Sequence, residues 1–157
     1  MKHPLFTFLL TIISFVSFSQ NRDTAIFTKS EPTKIAFASK NDISTASLTF
    51  LKFVDGEYGI QFNMVASSKT SAYIYAHNMD SLVIKLANNK NIVLRPYKDT
   101  VYNQMDGTNN WTAYYFVEKS VISLLRSDRI TQIFSGATLQ LKKQTSSKIY
   151  AIANSFL

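Results

Sequence analysis

Cysteine is absent from the 157 residues, and the chain holds only four glycines, three prolines, two histidines and one tryptophan. Each shortage removes a class of chemistry. Without cysteine there is no disulfide scaffold and no lipid-modified cysteine of the kind that tethers bacterial lipoproteins, so burial must hold the fold together. His77 is the sole histidine beyond the first few residues, and one imidazole without a thiolate cannot furnish the usual zinc ligand set. It lies beside Asn78 between two strand patterns, where a surface role is the ordinary one and a catalytic triad would still need a positioned nucleophile and orienter. The glycines form no Gly-x-Gly-x-x-Gly or Walker-type run, so neither a nucleotide nor any other cofactor is expected. Ser135-Gly136 lacks the flanking glycine of a nucleophile elbow.

The first residues are unlike the rest. Lys2 opens a short basic region, an apolar run follows from Leu5 to Val16, and Ser17-Phe18-Ser19 places small residues at the two positions that precede a cleavage point. This is the layout of a secretory signal peptide. Thr7, Thr11 and Ser14 interrupt the run, which is shorter than the roughly 20 residues of a spanning helix. The expectation is a signal peptide over 1–19, cleaved at Ser19 or Gln20, and a single mainly-β domain over 20–157. The product is then exported, periplasmic or secreted, with no membrane span once the leader is removed. The formal net charge of +7 favours anionic partners, and outside the cytoplasm these are acidic glycans or lipopolysaccharide rather than nucleic acid. The lysines are spread along the chain, however, a pattern that also serves solubility alone.

The centre of the pattern is Leu48 to Ala66, LTFLKFVDGEYGIQFNMVA. Leu48, Phe50 and Val54 on one arm and Tyr58, Ile60, Phe62 and Met64 on the other recur every two residues, the period of one face of a pleated strand. Asp55-Gly56 between the arms is a hairpin signal, because glycine takes a positive φ at little steric cost. Before it, 21–32 reads as a lead-in or edge strand, Thr33 to Ser39 as a first strand with Ile35 and Phe37 together, and 40–46 as turn chemistry. After it come a polar loop at 67–71, a short strand at 72–76, and a second hairpin in which Leu82, Ile84 and Leu86 share a face with Ile92 and Leu94 around Asn88-Asn89-Lys90. Pro96 marks an end or an edge. Lys98 to Asn110 reads as a long irregular loop, and Trp111 to Val117 as a strand buried on both sides. From Ser120, expected as the N-cap, a short helix runs to Ser127. Ile130 to Phe134 and Thr138 to Leu141 form a further hairpin, and a terminal helix capped by Ser146 or Ser147 carries Ile149, Ile152, Ala153 and Phe156 at helical spacing. These elements define an α+β fold, mainly antiparallel β and sandwich-like, with a short helix and a C-terminal one. Edge strands near Ile35 or Pro96 are open to pairing with another chain.

Seven aspartates and three glutamates make a catalytic carboxylate pair arithmetically available. Asp55 and Glu57 are the closest pair, but acidic residues in a tight turn have a backbone reason to be there. Calcium at Asp55/Glu57 or Asp99/Asp106 would need several converging oxygens, and neither stretch has the alternation of a dedicated loop. No metal site is expected. The aromatics are the remaining resource. Trp111, Tyr102 and Tyr114 are the candidate ligand-binding residues, since tyrosine and tryptophan beside asparagine and lysine can stack on sugars or anchor a protein partner. For Trp111 the competing reading is core packing at a strand start, which large aromatics favour for their burial energy.

The tail from Tyr115, YFVEKSVISLLRSDRITQIFSGATLQLKKQTSSKIYAIANSFL, resembles the ends of many small exported bacterial proteins of unknown function. In these a strand leads to a short helix, an Ile-x-x-Ile strand, a turn, a second strand and a closing helix. The resemblance implies an uncharacterised envelope protein and brings no catalytic residues. Two functions are therefore expected: a non-enzymatic binding or accessory domain for an anionic envelope glycan or an envelope protein, and, as its competitor, a small periplasmic hydrolase using Glu57 or Glu118.

Overall fold

A computed structural model describes residues 25–36, 43–67, 81–97, 101–105 and 107–157. The expected leader, the residues from 37 to 42, most of the polar loop, the strand expected at 72–76 and His77 lie outside them. The elements are β1 (Ile26–Lys29), β2 (Thr33–Lys34), β3 (Ile43–Phe53), β4 (Tyr58–Ser67), β5 (Leu82–Leu86), β6 (Asn91–Leu94), β7 (Val101–Met105), β8 (Thr108–Val117), α1 (Lys119–Ser127), β9 (Ile130–Phe134), β10 (Thr138–Gln140) and α2 (Lys143–Phe156). All pairings are antiparallel. One sheet runs β1-β3-β4-β8-β7, with β2 also on β3, and the other runs β10-β9-β5-β6. The fold is thus α+β and mainly antiparallel β, two sheets facing each other with helices at one side.

The β3–β4 hairpin is the spine of the larger sheet. Gly56 takes φ +84°, Phe53 N–H donates to the Glu57 carbonyl, and Asp55 Oδ1 accepts from Glu57 N–H at 3.0 Å, so the turn is satisfied locally. Leu48, Phe50, Ile60, Phe62 and Met64 all point inward and are at most 1 % exposed. Val54 does not join them. It falls in the turn, beyond the end of β3, and is 56 % exposed, because the strand ends one residue before the alternation would have turned it inward. The smaller sheet contributes Leu82, Ile84, Leu86, Ile133 and Leu139 to the same core. Each such side chain adds roughly 1.5–3 kcal/mol by leaving water. Asn89 closes the β5–β6 turn at φ +65°, a left-handed conformation that asparagine tolerates.

Four boundaries differ from the sequence expectation. The stretch from 98 to 110 is not one irregular loop: Val101–Met105 and Thr108 onward pair as a hairpin around Gly107, φ +72°. Asn103, Gln104, Asn109 and Asn110 flank the turn, so apolar periodicity gave no sign of it. The turn assigned to 40–46 is strand from Ile43, where buried Ile43 and Ala46 straddle a bulge. Of the first strand expected at 33–39, only Thr33 and Lys34 are strand among the described residues, Ile35 and Ala36 do not continue it, and 37–39 lie outside them. Finally, β8 is buried on one side only, with Trp111, Ala113, Tyr115 and Val117 inward and Thr112, Tyr114 and Phe116 half-buried on the other.

Both helices start earlier than their serines suggest. α1 follows Glu118 and has no side-chain cap; Ser120 lies inside its first turn. α2 begins at Lys143 because Lys142 N–H is held by the Ala36 carbonyl. Ser146 faces inward, where its hydroxyl donates to the Ile130 carbonyl, and Thr145 Oγ1 accepts from Ala36 N–H. The two residues are nine-tenths buried, so they tie the helix to β9 and to the segment after β2 instead of capping it. Ile149 and Ala153 then dock on the core, with Ile152 and Phe156 partly covered beside them. Among the described residues no helix is long and apolar enough to cross a membrane.

Candidate functional site

Register divides the larger sheet into a core face and an outer face. On β3, β4 and β8 the even/odd alternation sends Leu48, Phe62 and Ala113 inward together and leaves their neighbours on the far side. The outer positions form rows across the strands. Thr45, Val65, Asn110 and Asn103 make the first; Ser47, Asn63, Thr112 and Val101 the second; Thr49, Gln61 and Tyr114 the third. These rows contain no carboxylate or guanidinium, and the second runs on to Lys34 of β2, the cross-strand partner of Ser47. In a chain with 17 Lys and Arg and 10 Asp and Glu, such a face is compositionally distinct.

Its centre is a side-chain network. Asn63 Oδ1 accepts from Thr112 Oγ1 at 2.8 Å and from Gln61 Nε2 at 3.2 Å. Asn63 Nδ2 donates to Ser47 Oγ at 3.4 Å. The bonds fix which way the Asn63 amide points, because only its oxygen can accept and only its nitrogen can donate. Gln61 Oε1 is buried with no hydrogen-bond partner. Toward the β3–β4 turn the face becomes aromatic: Leu51, Gly59 and Phe116 form the fourth row, and Phe53 covers Gly59. Tyr97 N–H donates to the Tyr114 carbonyl, which seats the Tyr97 ring 4.3 Å from Phe116 and 6.1 Å from Tyr114, centroid to centroid. Burial, and secondarily the Coulombic influence of Tyr114, pushes the Tyr97 phenol up to about 12, so it stays neutral through the ordinary pH range.

The three candidate aromatics separate. Tyr102 and Trp111 are cross-strand partners, their rings 5.8 Å apart on the core face. Trp111 is 1 % exposed and so presents no ring to a surface ligand: it fills the core, the other role open to it. Tyr102 is exposed at the sheet edge, with its hydroxyl donating to Asn109 Oδ1. Tyr114 alone stands on the outer face, half-buried beside Gln61. Sequence reasoning passed over Ser47, Gln61, Asn63 and Thr112, although the uncharged polar residue at every second position of three strands was a readable signal.

The described carboxylates are dispersed, and Asp99 and Asp106 lie outside the described residues. Asp55 and Glu57 sit in the hairpin turn, Asp128 holds the Asn88 and Arg129 N–H groups at 2.7 and 2.8 Å, and Glu118 lines a groove with Val93, Leu94, Arg95, Phe116 and Val121. Among the described residues no three His, Asp or Glu side chains converge as a metal site would need. No protein-family model matches the chain, and no curated protein and no solved structure does either.

Proposed function

We propose that this chain is an exported, non-enzymatic binding domain of the cell envelope, and that it contacts a glycan or a protein partner through the outer face of its larger sheet. The observation that carries the reading is the three-row polar face itself: side chains already held by one another need little ordering when a ligand arrives, which lowers the entropic cost of binding. The tyrosines at one end supply stacking area of the kind sugars and protein loops use. Export rests on the pattern of the first 19 residues. Among the described residues the carboxylates share no cleft on which the hydrolase alternative could build.

The test is a thermal-shift screen against envelope glycans, peptidoglycan fragments and lipopolysaccharide at low and high salt, together with crosslinking in the envelope. A ligand at a hundred times its dissociation constant adds about 2.7 kcal/mol, which for a chain of this size raises Tm by about 5–10 °C. Tyr114→Ala should remove most of that rise. If neither a glycan nor a crosslinked protein depends on Tyr114 or Asn63, this face is not the site.

A further inference from the structure

We infer that β6 is an interface between two copies of this chain, the strand pairing antiparallel with the same strand of a second copy about a two-fold axis at Val93. It belongs to the smaller sheet and is separate from the outer face of the larger one. β6 is the edge of its sheet, paired among the described residues with β5 alone. Leu86 N–H donates to the Lys90 carbonyl at the turn, so the bonded pairs of the ladder fall at alternate positions from there, Ile84 with Ile92 and Leu82 with Leu94. The backbone N–H and C=O of Asn91 and Val93 therefore point away from β5. Val93 is 62 % exposed and opens on the groove that it lines with Arg95, Phe116 and Glu118.

What this edge fits best is itself. On the outer face of the smaller sheet Val93, Val83 and Phe134 form one row across β6, β5 and β9, and Phe134 too is exposed. With Val93 opposite its own counterpart, the row runs unbroken into the same row of the second copy, so the two apolar stripes become one. That register sets Asn91 opposite the partner's Arg95, and Lys90 opposite the partner's Pro96, so no two like charges face each other across the seam. Lys85 lies in the row of Asn91, two strands or about 10 Å from the partner's Arg95. This is about one Debye length at about 0.1 M salt, so the repulsion is small and salt relieves it. Charges and bulges are the usual guards of an edge, and β6, Asn-Ile-Val-Leu, has neither. β1 has a bulge and Lys29, β10 is only three residues long, and β7 offers Asn103 and Gln104 where β6 offers Val93.

The experiment is analytical ultracentrifugation of the protein, expressed from the full chain, from micromolar to millimolar concentration at low and high salt. One strand edge buries less than a permanent dimer needs, so the expected result is a weak, concentration-dependent dimer that salt strengthens. Val93→Pro removes an N–H that the monomer's ladder does not use. Its thermal melt should stay near the parent's while the dissociation constant rises at least about tenfold, the scale of the two central hydrogen bonds. Because the chain has no cysteine, a single introduced one reports its own neighbour. In a bonded antiparallel pair the Cα atoms stand about 5.5 Å apart, within the span of a disulfide, so Val93→Cys should give a covalent dimer on mild oxidation. Asn91→Cys, about 13 Å from its counterpart along the strands, should not. If Val93→Pro lowers the melt, the two cysteine variants decide alone. A chain that stays monomeric at millimolar concentration in high salt overturns the inference. So does a dimer that a folded Val93→Pro protein keeps intact, or crosslinking at Asn91→Cys as efficient as at Val93→Cys, since the copies then meet elsewhere.

Discussion

Replacing Gly59 by alanine isolates one contact on which the outer face depends. Gly59 lies in mid-sheet between Leu51 and Phe116, and a Cβ added there would stand 2.8 Å from Cε2 and Cζ of Phe53 and 2.9 Å from the Tyr115 carbonyl oxygen. Neither neighbour yields cheaply. The Phe53 ring is 1 % exposed and held edge-on by Tyr97 at 5.6 Å and by Phe116 at 5.2 Å, while the carbonyl belongs to a strand paired on both sides. Two effects oppose each other. Alanine restricts the unfolded chain and would by itself stabilise by about 0.4–1 kcal/mol, whereas overpacking a filled site costs about 1–3 kcal/mol. The steric cost is the larger, so Gly59→Ala should destabilise by about 1–2 kcal/mol. Urea titration should show a lower midpoint with an unchanged slope, and Tm should fall by about 2–8 °C. Shortening the opposing ring as well, in Phe53→Leu/Gly59→Ala, should recover part of the loss, since residues in contact are not additive. A Gly59→Ala protein as stable as the parent would refute the packing of Phe53 over Gly59.

Three further outcomes follow from the same packing. The Tyr97 phenol is raised above its usual 10.0 to about 12, chiefly by burial; the unfolded chain therefore releases this proton first, and stability that is whole below pH 10 should decline as pH rises toward 12, with Tyr97→Phe showing a shallower decline over that window in thermal melts. Asp128 ties the β5–β6 turn to the end of α1 through two backbone N–H groups, and Asp128→Ala should cost about 1–2 kcal/mol in urea unfolding; no change would mean that water replaces it fully. Trp111 is the only tryptophan in the chain and is sealed in the core, so its emission should be blue-shifted and poorly quenched by acrylamide until the protein unfolds; quenching like that of the free amino acid would contradict its burial.

Legibility in the sequence followed hydrophobic contrast. Where apolar residues alternate with polar ones, as from Leu48 to Met64 and from Leu82 to Leu94, the strands and their inward faces are readable, because burial of one face is what holds them in register. The hairpin of β7 and β8 was hidden by the opposite circumstance. Asp106-Gly107 carries the same turn signal as Asp55-Gly56, but its flanks, Tyr102 to Met105 and Thr108 to Asn110, are amides and hydroxyls apart from Met105 and offer little apolar contrast. The helix starts were misplaced for another reason: Ser146 resembles a cap locally, yet a partner distant in sequence, the Ile130 carbonyl, claims its hydroxyl. The site suffered from attention to large aromatics. Trp111 drew notice by size and is core, whereas Asn63, small and neutral, organises its network through contacts that only cross-strand register reveals.

The order in which the chain visits its two sheets bears on how it can be cut. β1 to β4 build the larger sheet, β5 and β6 begin the smaller one, β7 and β8 return to the larger, and β9 and β10 complete the smaller. The return passes through Pro96, bridged to Tyr115, and Tyr97, bonded to Tyr114, so the chain leaving one sheet is fastened to the other at once. The strands are woven like two threads passed twice through each other's layers. No contiguous fragment closes the core between the sheets: a chain stopped after β8 holds a whole larger sheet facing half of its cover, and one begun at β5 lacks the β3–β4 spine. Protease fragments of this protein should therefore unfold instead of persisting as halves, and a nascent chain must wait for β9, β10 and α2 before its core is closed.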